Sequence, residues 1–398
     1  MMGIFFAEYL FLFFYHAYKY ATQYDLPAVS AKSRENNLLS VKRYRLSKDA
    51  IDERSKRIKD YSGERVWRFL DKNTDLYTSS TFVISEVSLK ELTEVEIHRY
   101  STFIILKRLN NLRGINKTFF LINDKIANNG LLVCCYKSQS TIKQKIFKKY
   151  PRFIADIIYF IHFVTHRFIP RMLFTSRLYY DLTGGQRRVL TKTEVLGRLN
   201  FCGFKIEREA KINDEHYVFA RRIKTVQPTN LRRYGVLIKL KRRGKGGKLF
   251  NVYKFRTMHP YAEFLQDYVY EKSDLAEGGK FKNDIRVSTI GRFMRKFWLD
   301  ELPMVYNLLK GDMKLVGVRP LSAHYFSLYS KELQELRIKH KPGLLPPFYA
   351  DMPKTLEDIE ESEIRYLKRC EKNGTFITDV RYLFLILKNI LFKKARSA

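Results

Sequence analysis

The apolar segments of this sequence are short, and charged residues interrupt the longer ones. No stretch of about 20 residues is free of charge, which predicts that no ordinary helix spans a membrane. Between residues 80 and 224, strand-like and helix-like segments alternate, so we expect an α/β layer there. The predicted strands are 81–87, 131–136, 204–207 and 216–221, and the predicted helices are 94–121 and 191–201.

Charge is the second constraint on the chain. The 74 Lys and Arg residues outnumber the 41 Asp and Glu residues, which gives a formal net charge of +33. Such an excess indicates an anionic partner: nucleic acid, an anionic membrane surface or a phosphorylated substrate. The four cysteines have no spacing that suits a zinc site or a disulfide framework, which indicates a reducing compartment.

Three aromatic-rich segments are candidates for membrane contact. Segment 3–21 fits either an interfacial anchor or a buried terminal helix. Segment 153–174 is strongly apolar, but its charged and histidine residues argue against a full span and leave an interfacial helix or a core helix. Segment 378–394 ends in lysines and fits either a membrane-surface helix or a helix that covers the core.

Cations cluster on two extended segments near the start of the C-terminal part. Lys254 and Arg256 alternate along a predicted strand and therefore point to one face, which suits a phosphate ligand. A solvated basic edge strand is the alternative. Asp284 and Arg286 likewise share one face of an extended segment, and Arg286 is a further candidate phosphate ligand.

An acidic pair, Asp300 and Glu301, precedes Pro303, which is typical of the first turn of a helix. A carboxylate there is either a plain helix cap or part of a site, because phosphates also bind at helix N-termini. A predicted strand over 315–318 then delivers Arg319 at its end.

The motifs occur in a fixed order: Lys-Phe-Arg-Thr-Met, Asp-Ile-Arg, Arg295, Asp-Glu-Leu-Pro, Lys-Gly-Asp-Met, Gly-Val-Arg-Pro and Lys-Pro-Gly. Together they resemble the bacterial sugar transferase family, the monotopic phosphoglycosyl transferases, over about residues 235–398. The resemblance implies that Asp300 attacks the β-phosphorus of a UDP-sugar, that UMP leaves, and that polyprenol phosphate takes the sugar phosphate. It also implies Mg²⁺ at Asp300 and Glu301, and phosphate contacts from Arg295 and Arg319.

Four features differ from the family pattern. The stretch before Tyr234 is not the apolar re-entrant helix of the family, and Leu240 stands about where a Gln is usual. Val318 stands in place of the first Pro of the family's Gly-Pro-Arg-Pro. Residues 342–346 read Pro-Gly-Leu-Leu-Pro in place of Pro-Gly-Ile-Thr-Gly. We expect the last change to alter the sugar or lipid end of the site.

Residues 80–224 weakly resemble the C-terminal half of a class I methyltransferase, through the segments NNGLLVCCY and LTKTEVLGRLNFCGFKI. No Gly-rich strand–turn–helix precedes them to hold a nucleoside, so we expect a remnant without that activity. The predicted organisation is an N-terminal helix and basic linker (1–78), a degenerate methyltransferase-like α/β region (79–230) and an α+β phosphoglycosyl transferase catalytic domain with interfacial helices (231–398).

The predicted function is therefore phosphoglycosyl transfer that initiates a surface glycan, by an enzyme peripheral or monotopic on the cytoplasmic face of the inner membrane. The expected partners are a UDP-sugar, polyprenol phosphate and anionic lipid, and no nucleic acid. An inactive relative that scaffolds glycan assembly and a basic nucleic-acid-binding protein are the alternatives. No recognisable nucleic-acid-binding module supports the last.

Overall fold

The computed structural model describes residues 22–23, 41–86, 89–171, 173–229, 235–272, 275–276, 280–281, 284–353 and 355–392. Its architecture is mixed α/β, as the alternation predicts. The chain divides into an N-terminal unit, residues 26–231 with 260–268, and a C-terminal unit, residues 1–25, 232–259 and 269–398. The aromatic segment 3–21 lies outside the described residues.

The first half of the chain forms one sheet and the helices that precede, connect and follow its strands. Its helices are α1 (Lys48–Ser62), α2 (Glu64–Asn73), α3 (Leu89–Glu94), α4 (Ile115–Lys125), α5 (Gln139–Lys149), α6 (Arg152–Phe163), α7 (Leu173–Thr183) and α8 (Lys192–Phe201). Its strands are β1 (Thr81–Ile84), β2 (Tyr100–Ile105), β3 (Ile126–Tyr136), β4 (Phe204–Ile212) and β5 (Glu215–Arg222). The amphipathic helices α1 and α2 belong to the same compact unit as the sheet, whereas the sequence placed residues 1–78 in a separate segment.

The sheet of the N-terminal unit has the order β1-β2-β3-β5-β4. Strands β1 to β3 are parallel and almost entirely apolar, as expected of strands covered on both faces. Strands β4 and β5 form an antiparallel hairpin whose turn holds Asn213 and Asp214 at positive φ, which is typical of tight hairpin turns. Cys134 and Cys135 are buried in β3, as the apolar run predicts.

The prediction of a helix over 94–121 is wrong. Strand β2 occupies Tyr100–Ile105 and α4 begins only at Ile115. A short run of aromatic and β-branched residues is compatible with either structure when periodicity is the only guide, and pairing with β1 and β3 decides for the strand. The helix predicted over 191–201 is confirmed, with the Thr191 hydroxyl capping α8 and Gly203 at φ +89° beyond its end.

The second half of the chain has shorter elements. Its helices are α9 (Gln266–Lys272), α10 (Thr289–Lys296), α11 (Met304–Leu309), α12 (Ala323–Leu328), α13 (Lys331–Lys339), α14 (Phe348–Asp351), α15 (Leu356–Asn373) and α16 (Thr375–Phe392). Its longer strands are β6 (Leu237–Arg243), β7 (Leu249–Phe255), β8 (Lys314–Val316) and β9 (Gly343–Leu345). Strands β6 and β7 form an antiparallel hairpin, Thr22–Gln23 pairs in parallel with β6, and β8 pairs in parallel with β9.

The long helices α15 and α16 hold the core of the C-terminal unit. Tyr366 and Tyr382 are fully buried and meet edge to face, and Lys314 of β8 donates to the Tyr366 hydroxyl and to the Asp379 carboxylate at 2.9 Å. This contact ties strand β8 to α16. The buried face of α16 agrees with a helix that covers the core, while its opposite face leaves Phe384 and Leu391 exposed, and contact of that face with a membrane surface stays a prediction.

Candidate active site

The acidic pair of the C-terminal unit lies in a short 3-10 turn, Leu299–Glu301, between α10 and α11. Trp298 enters this turn in the left-handed region, at φ +54°, and its ring packs at 5.7 Å against that of Tyr349. A non-glycine residue in that region costs free energy and is retained only where packing fixes it. The turn therefore places the Asp300 side chain in a largely buried position, 9% exposed.

Glu301 is the acceptor for two cations. Lys254 Nζ lies 2.5 Å from Glu301 Oε1, and Arg319 Nη2 donates to the same oxygen at 3.2 Å. The Lys254 and Glu301 side chains are mostly buried, whereas that of Arg319 is 39% exposed. The structure thus brings together three residues that come from β7, the acidic turn and the segment after β8.

Asp300 differs from its neighbour, because none of the described side chains donates a hydrogen bond to its carboxylate. Burial raises the pKa of Asp300 above its ordinary value, and Glu301 adds to the rise, while Lys254 and Arg295 act in the opposite direction. The backbone amide of Asp300 donates to this carboxylate, but a desolvated carboxylate without a side-chain donor keeps most of its lone pairs available. This is the arrangement that a nucleophile or a metal ligand requires.

Lys254 is held in place by a buried amide. Asn307 of α11 is 0% exposed; its Oδ1 accepts from the Tyr253 amide at 3.1 Å, and its Nδ2 donates to the Asn251 carbonyl at 2.8 Å. These two hydrogen bonds join α11, the helix that follows the acidic turn in the chain, to β7 next to Lys254. The sequence analysis missed this residue, although a lone polar side chain in the apolar run Met-Val-Tyr-Asn-Leu-Leu was the available signal.

Arg319 is positioned by a close approach of two backbones. A Cβ on Gly343 would lie only 2.1 Å from the Gly317 nitrogen, so neither β8 nor β9 tolerates a side chain there. Arg337, which forms a buried ion pair with Glu363, donates to the Arg319 carbonyl. Arg337 and Glu363 therefore fix the backbone of Arg319 and leave its guanidinium free to reach Glu301.

A further cation that the sequence analysis did not select is Arg242, near the end of β6. Burial lowers the pKa of Arg242, and repulsion from Arg319 lowers it further. Burial also lowers the pKa of Lys254, again with a contribution from Arg319. Arg319 therefore lies close enough to influence both Arg242 and Lys254, and this concentration of positive charge beside Glu301 favours an anionic ligand.

The other predicted phosphate ligands have partners within the protein. Arg295 Nε donates to the Thr257 hydroxyl at 3.0 Å and contributes to the electrostatics of Asp300. Arg286 is buried and makes a two-pronged contact with the Asp284 carboxylate at 2.8 to 3.0 Å. Arg256 Nε donates to the Gly235 carbonyl at 2.8 Å. The phosphate-binding roles of Arg286, Arg295 and Arg256 stay predictions.

A divalent metal is compatible with the acidic pair. The described residues contain no cluster of three or more His, Cys, Asp or Glu side chains placed to enclose an ion. Mg²⁺ commonly binds through one or two carboxylates and completes its shell with water and substrate phosphates, so Asp300 with Glu301 fits that mode. A metal here would need an oxygen-rich substrate to complete its coordination.

Comparison with known proteins places this site in context. Residues 223–393 match the model of the family described as bacterial sugar transferase. The chain is 33% identical over 158 residues to the uncharacterized sugar transferase EpsL of Bacillus subtilis, covering 39% of this chain and 70% of that protein. It is 33% identical over 154 residues to the undecaprenyl-phosphate galactose phosphotransferase of Salmonella typhimurium, covering 37% of this chain and 32% of that protein.

The UDP-glucose:undecaprenyl-phosphate glucose-1-phosphate transferase of Xanthomonas campestris is 29% identical over 168 residues, which cover 40% of this chain and 32% of that protein. The chain thus spans about a third of the length of the Salmonella and Xanthomonas relatives. Among solved structures, the CurJ carbon methyltransferase aligns with 35% of each chain at 14% identity and a TM-score of 0.21. A TM-score this low does not establish a shared fold, so the methyltransferase-like description of residues 80–224 stays a prediction.

Proposed function

This chain belongs to the bacterial sugar transferase family, and we propose that it transfers a sugar 1-phosphate from a UDP-sugar to polyprenol phosphate and releases UMP. The main support for the proposal is that the two acidic side chains differ in their hydrogen-bond donors. Glu301 accepts from Lys254 and Arg319, while the buried Asp300 carboxylate has no side-chain donor among the described residues. The names of the Salmonella and Xanthomonas relatives support a polyprenol phosphate acceptor.

In the first step, an Asp300 carboxylate oxygen attacks the β-phosphorus of the UDP-sugar. The bond from that phosphorus to the oxygen bridging the two phosphates breaks, and UMP leaves with the electron pair. In the second step, a phosphate oxygen of polyprenol phosphate attacks the same phosphorus, and the Asp300 carboxylate is released. The product is a polyprenyl diphosphate sugar, and the enzyme returns to its starting state.

The surrounding cations offset the charge that this chemistry concentrates. Attack of a carboxylate on a diphosphate brings anions together, so the barrier falls only if positive groups are already in place. Lys254 and Arg295 favour the ionised form of Asp300, and Arg319 lies exposed enough to reach a ligand. Mg²⁺ held by Asp300 and Glu301 would supply further neutralisation of phosphate charge.

The test is a search for UMP. We would incubate the full-length protein with Mg²⁺, polyprenol phosphate and a panel of UDP-sugars, and we expect UMP from at least one donor. Without the acceptor, we expect release of one equivalent and an intact-mass increase of one sugar phosphate that the Asp300→Asn variant lacks. No UMP from any donor would favour the inactive scaffold, and UMP without an adduct would contradict the covalent route.

We also propose that the protein is peripheral to the cytoplasmic face of the membrane, because its acceptor is a membrane lipid. Electrostatic attraction of the +33 chain to anionic lipid is screened by salt, whereas apolar insertion is not. Washing membranes with high salt should therefore release part of the protein, and detergent should release the rest. Protein that stays soluble at low salt would contradict this assignment.

A further inference from the structure

The N-terminal unit carries one apolar helical segment that the proposed catalytic function does not use. It runs from Arg152 to Arg171, outside residues 223–393, and consists of α6, a π turn over Val164–Phe168 and a short 3-10 turn. Within the described part of the chain, it is the helical segment whose length and composition would allow it to cross a membrane. Its side chains, however, divide sharply between two faces.

One face of this segment is apolar and open to solvent. Phe153 is 78% exposed and Phe160 67%, and Ile157, Ile161 and Phe168 are also exposed. Positions 153, 157 and 160 are three to four residues apart, 161 is four residues after 157, and 168 is seven residues after 161, so they form one stripe along the segment. Asp156 is the single acidic residue of α6.

The opposite face is fastened to the N-terminal unit. Ala155 is fully buried, and the Tyr159 hydroxyl accepts from Gln139 Nε2 at 2.6 Å. At the C-terminal end, Arg167 is 6% exposed and donates to Glu194 Oε2 at 3.1 Å and to the Val189 carbonyl at 2.8 Å. The Val189 amide in turn donates to the His166 carbonyl at 3.0 Å.

Glu194 makes this attachment unusually strong. Its carboxylate, 1% exposed, accepts from Arg167, Arg171 and Arg198. Burial alone would raise the pKa of Glu194, but attraction to the three guanidinium groups outweighs it and holds the pKa below its ordinary value. Arg167 is thus part of the protein interior and Arg171 is partly buried, and neither can enter a lipid phase without breaking this cluster.

The attachment rules out a spanning orientation. Only α6, with 12 residues, lies ahead of the attached end. A helix of that length rises about 18 Å, well short of a hydrocarbon core of about 30 Å. A helix that is fixed at one end and packed along one side, with an apolar stripe on the other, can only lie flat.

We propose that the exposed stripe of α6 docks on an anionic lipid surface, parallel to the membrane plane. Lys148, Lys149 and Arg152 are exposed immediately before the stripe, so cations flank the apolar face. Basic residues beside a stripe of Phe and Ile form the pattern of an interfacial helix, in which both parts contribute to binding. The N-terminal unit would therefore have a membrane contact of its own, outside the residues that match the family.

The four native cysteines are buried, so a single introduced cysteine can be labelled selectively. We would place an environment-sensitive nitrobenzoxadiazole fluorophore on Phe153→Cys and Phe160→Cys in the full-length protein. The matched control is Ile97→Cys, an exposed apolar position before the amino end of β2, whereas α5 and α6 follow the carboxyl end of the parallel strand β3. The probes are vesicles of phosphatidylcholine with phosphatidylglycerol, with and without lipids brominated at known depths.

We expect the emission of both α6 labels to rise about twofold or more with vesicles, and that of the Ile97 label to stay constant. Brominated lipids should quench both α6 labels equally and at shallow depth. A depth difference of about 10 Å between positions 153 and 160 would indicate a span and overturn the proposal. Vesicle-bound protein without any change at α6 would overturn it too, as would a rise that depends on protein concentration without lipid, which indicates a second copy as occupant. None of these outcomes depends on a sugar nucleotide, so they are independent of the test for UMP.

Discussion

In the N-terminal unit, the single carboxylate of Glu194 accepts from three guanidinium groups, whereas in the C-terminal unit two cations donate to Glu301 and no described side chain donates to its neighbour Asp300. Carboxylates are buried in both places, but the number of side-chain donors per carboxylate falls from three to one. At Glu194 every anionic oxygen is engaged. At the acidic pair, Asp300 is buried and has no side-chain donor among the described residues.

This difference distinguishes a buried carboxylate with a structural role from one that is available for catalysis. Saturation with donors lowers the pKa of Glu194, and incomplete satisfaction raises the pKa of Asp300. A saturated cluster stabilises the native fold and has no lone pair to offer. An incompletely satisfied carboxylate costs stability, and such groups are concentrated at catalytic sites. In the buried pair Arg337–Glu363, burial raises the pKa of Glu363 and Arg337 opposes the rise, while Arg337 donates to the Arg319 carbonyl and so holds Arg319 in place.

The largest effect is expected for Asp300→Asn. An amide cannot form the acyl phosphate, so UMP release should fall by about 10³-fold or more. Steady-state assays with the best donor would measure it. The control is Asp358→Asn, a capping residue of α15, for which we expect an unchanged rate. A near wild-type rate for Asp300→Asn would remove the contrast between the two clusters.

Glu194→Gln should lower the stability of the protein and leave its catalytic rate unchanged. It leaves three guanidinium groups in a buried cluster without an anion, and breaking such a cluster costs about 3–5 kcal/mol. Denaturant unfolding of the full-length protein would measure the loss. Glu64→Gln is the control, because the pairs of Glu64 with Lys59 and Arg68 are exposed and should contribute little. At a temperature where the variant stays folded, its kcat should match that of the wild type; a selective loss of kcat would contradict a purely structural role.

Arg319→Lys is expected to be milder. The substitution keeps the charge but loses the planar fork that can hold two phosphate oxygens, which should lower kcat/KM at least tenfold, about 1.4 kcal/mol. Arg381→Lys, at an exposed position on α16, is the control. An unchanged kcat/KM would show that the contact of Arg319 with Glu301 is structural only.

The residues of the acidic pair could be selected from sequence because their types and order are chemically distinctive. Strand alternation and the order of the motifs also selected Lys254 and Arg319, which the structure places on Glu301. Asn307, Arg337 and Glu363 could not be selected in this way. Their partners lie in other elements, and the local sequence does not identify those partners: the apolar run around Asn307 marks its side chain as unusual but does not show which backbone groups it bonds.

The fold shows the same limit. Strands such as 131–136 and the capped helix over 191–201 carry local signals and were predicted, whereas β2 was taken for a helix because only its pairing with β1 and β3 defines it. The apolar segment 153–174 left two interpretations open. The contacts of Arg167 and Arg171 with Glu194, 23 or more residues away in sequence, are what determine which face is buried.

The smallest effect expected is on the pH dependence of stability, and it should have opposite signs at the two clusters. The pKa of Asp300 is raised in the folded state, chiefly by burial, so its ionised form destabilises the protein above that pKa, and the cost disappears as the pH falls below the ordinary Asp value. The pKa of Glu194 is lowered, so its contribution is present above the ordinary Glu value and is lost as the pH falls through the lowered one. Asp300→Asn should therefore raise Tm slightly at pH 7, and the gain should shrink toward acid pH. The loss caused by Glu194→Gln should instead be largest at neutral pH. Thermal unfolding from pH 7 down to pH 4 measures both, and a lower Tm for Asp300→Asn at pH 7 would mean that the Asp300 carboxylate is satisfied after all and that the two clusters do not differ in kind.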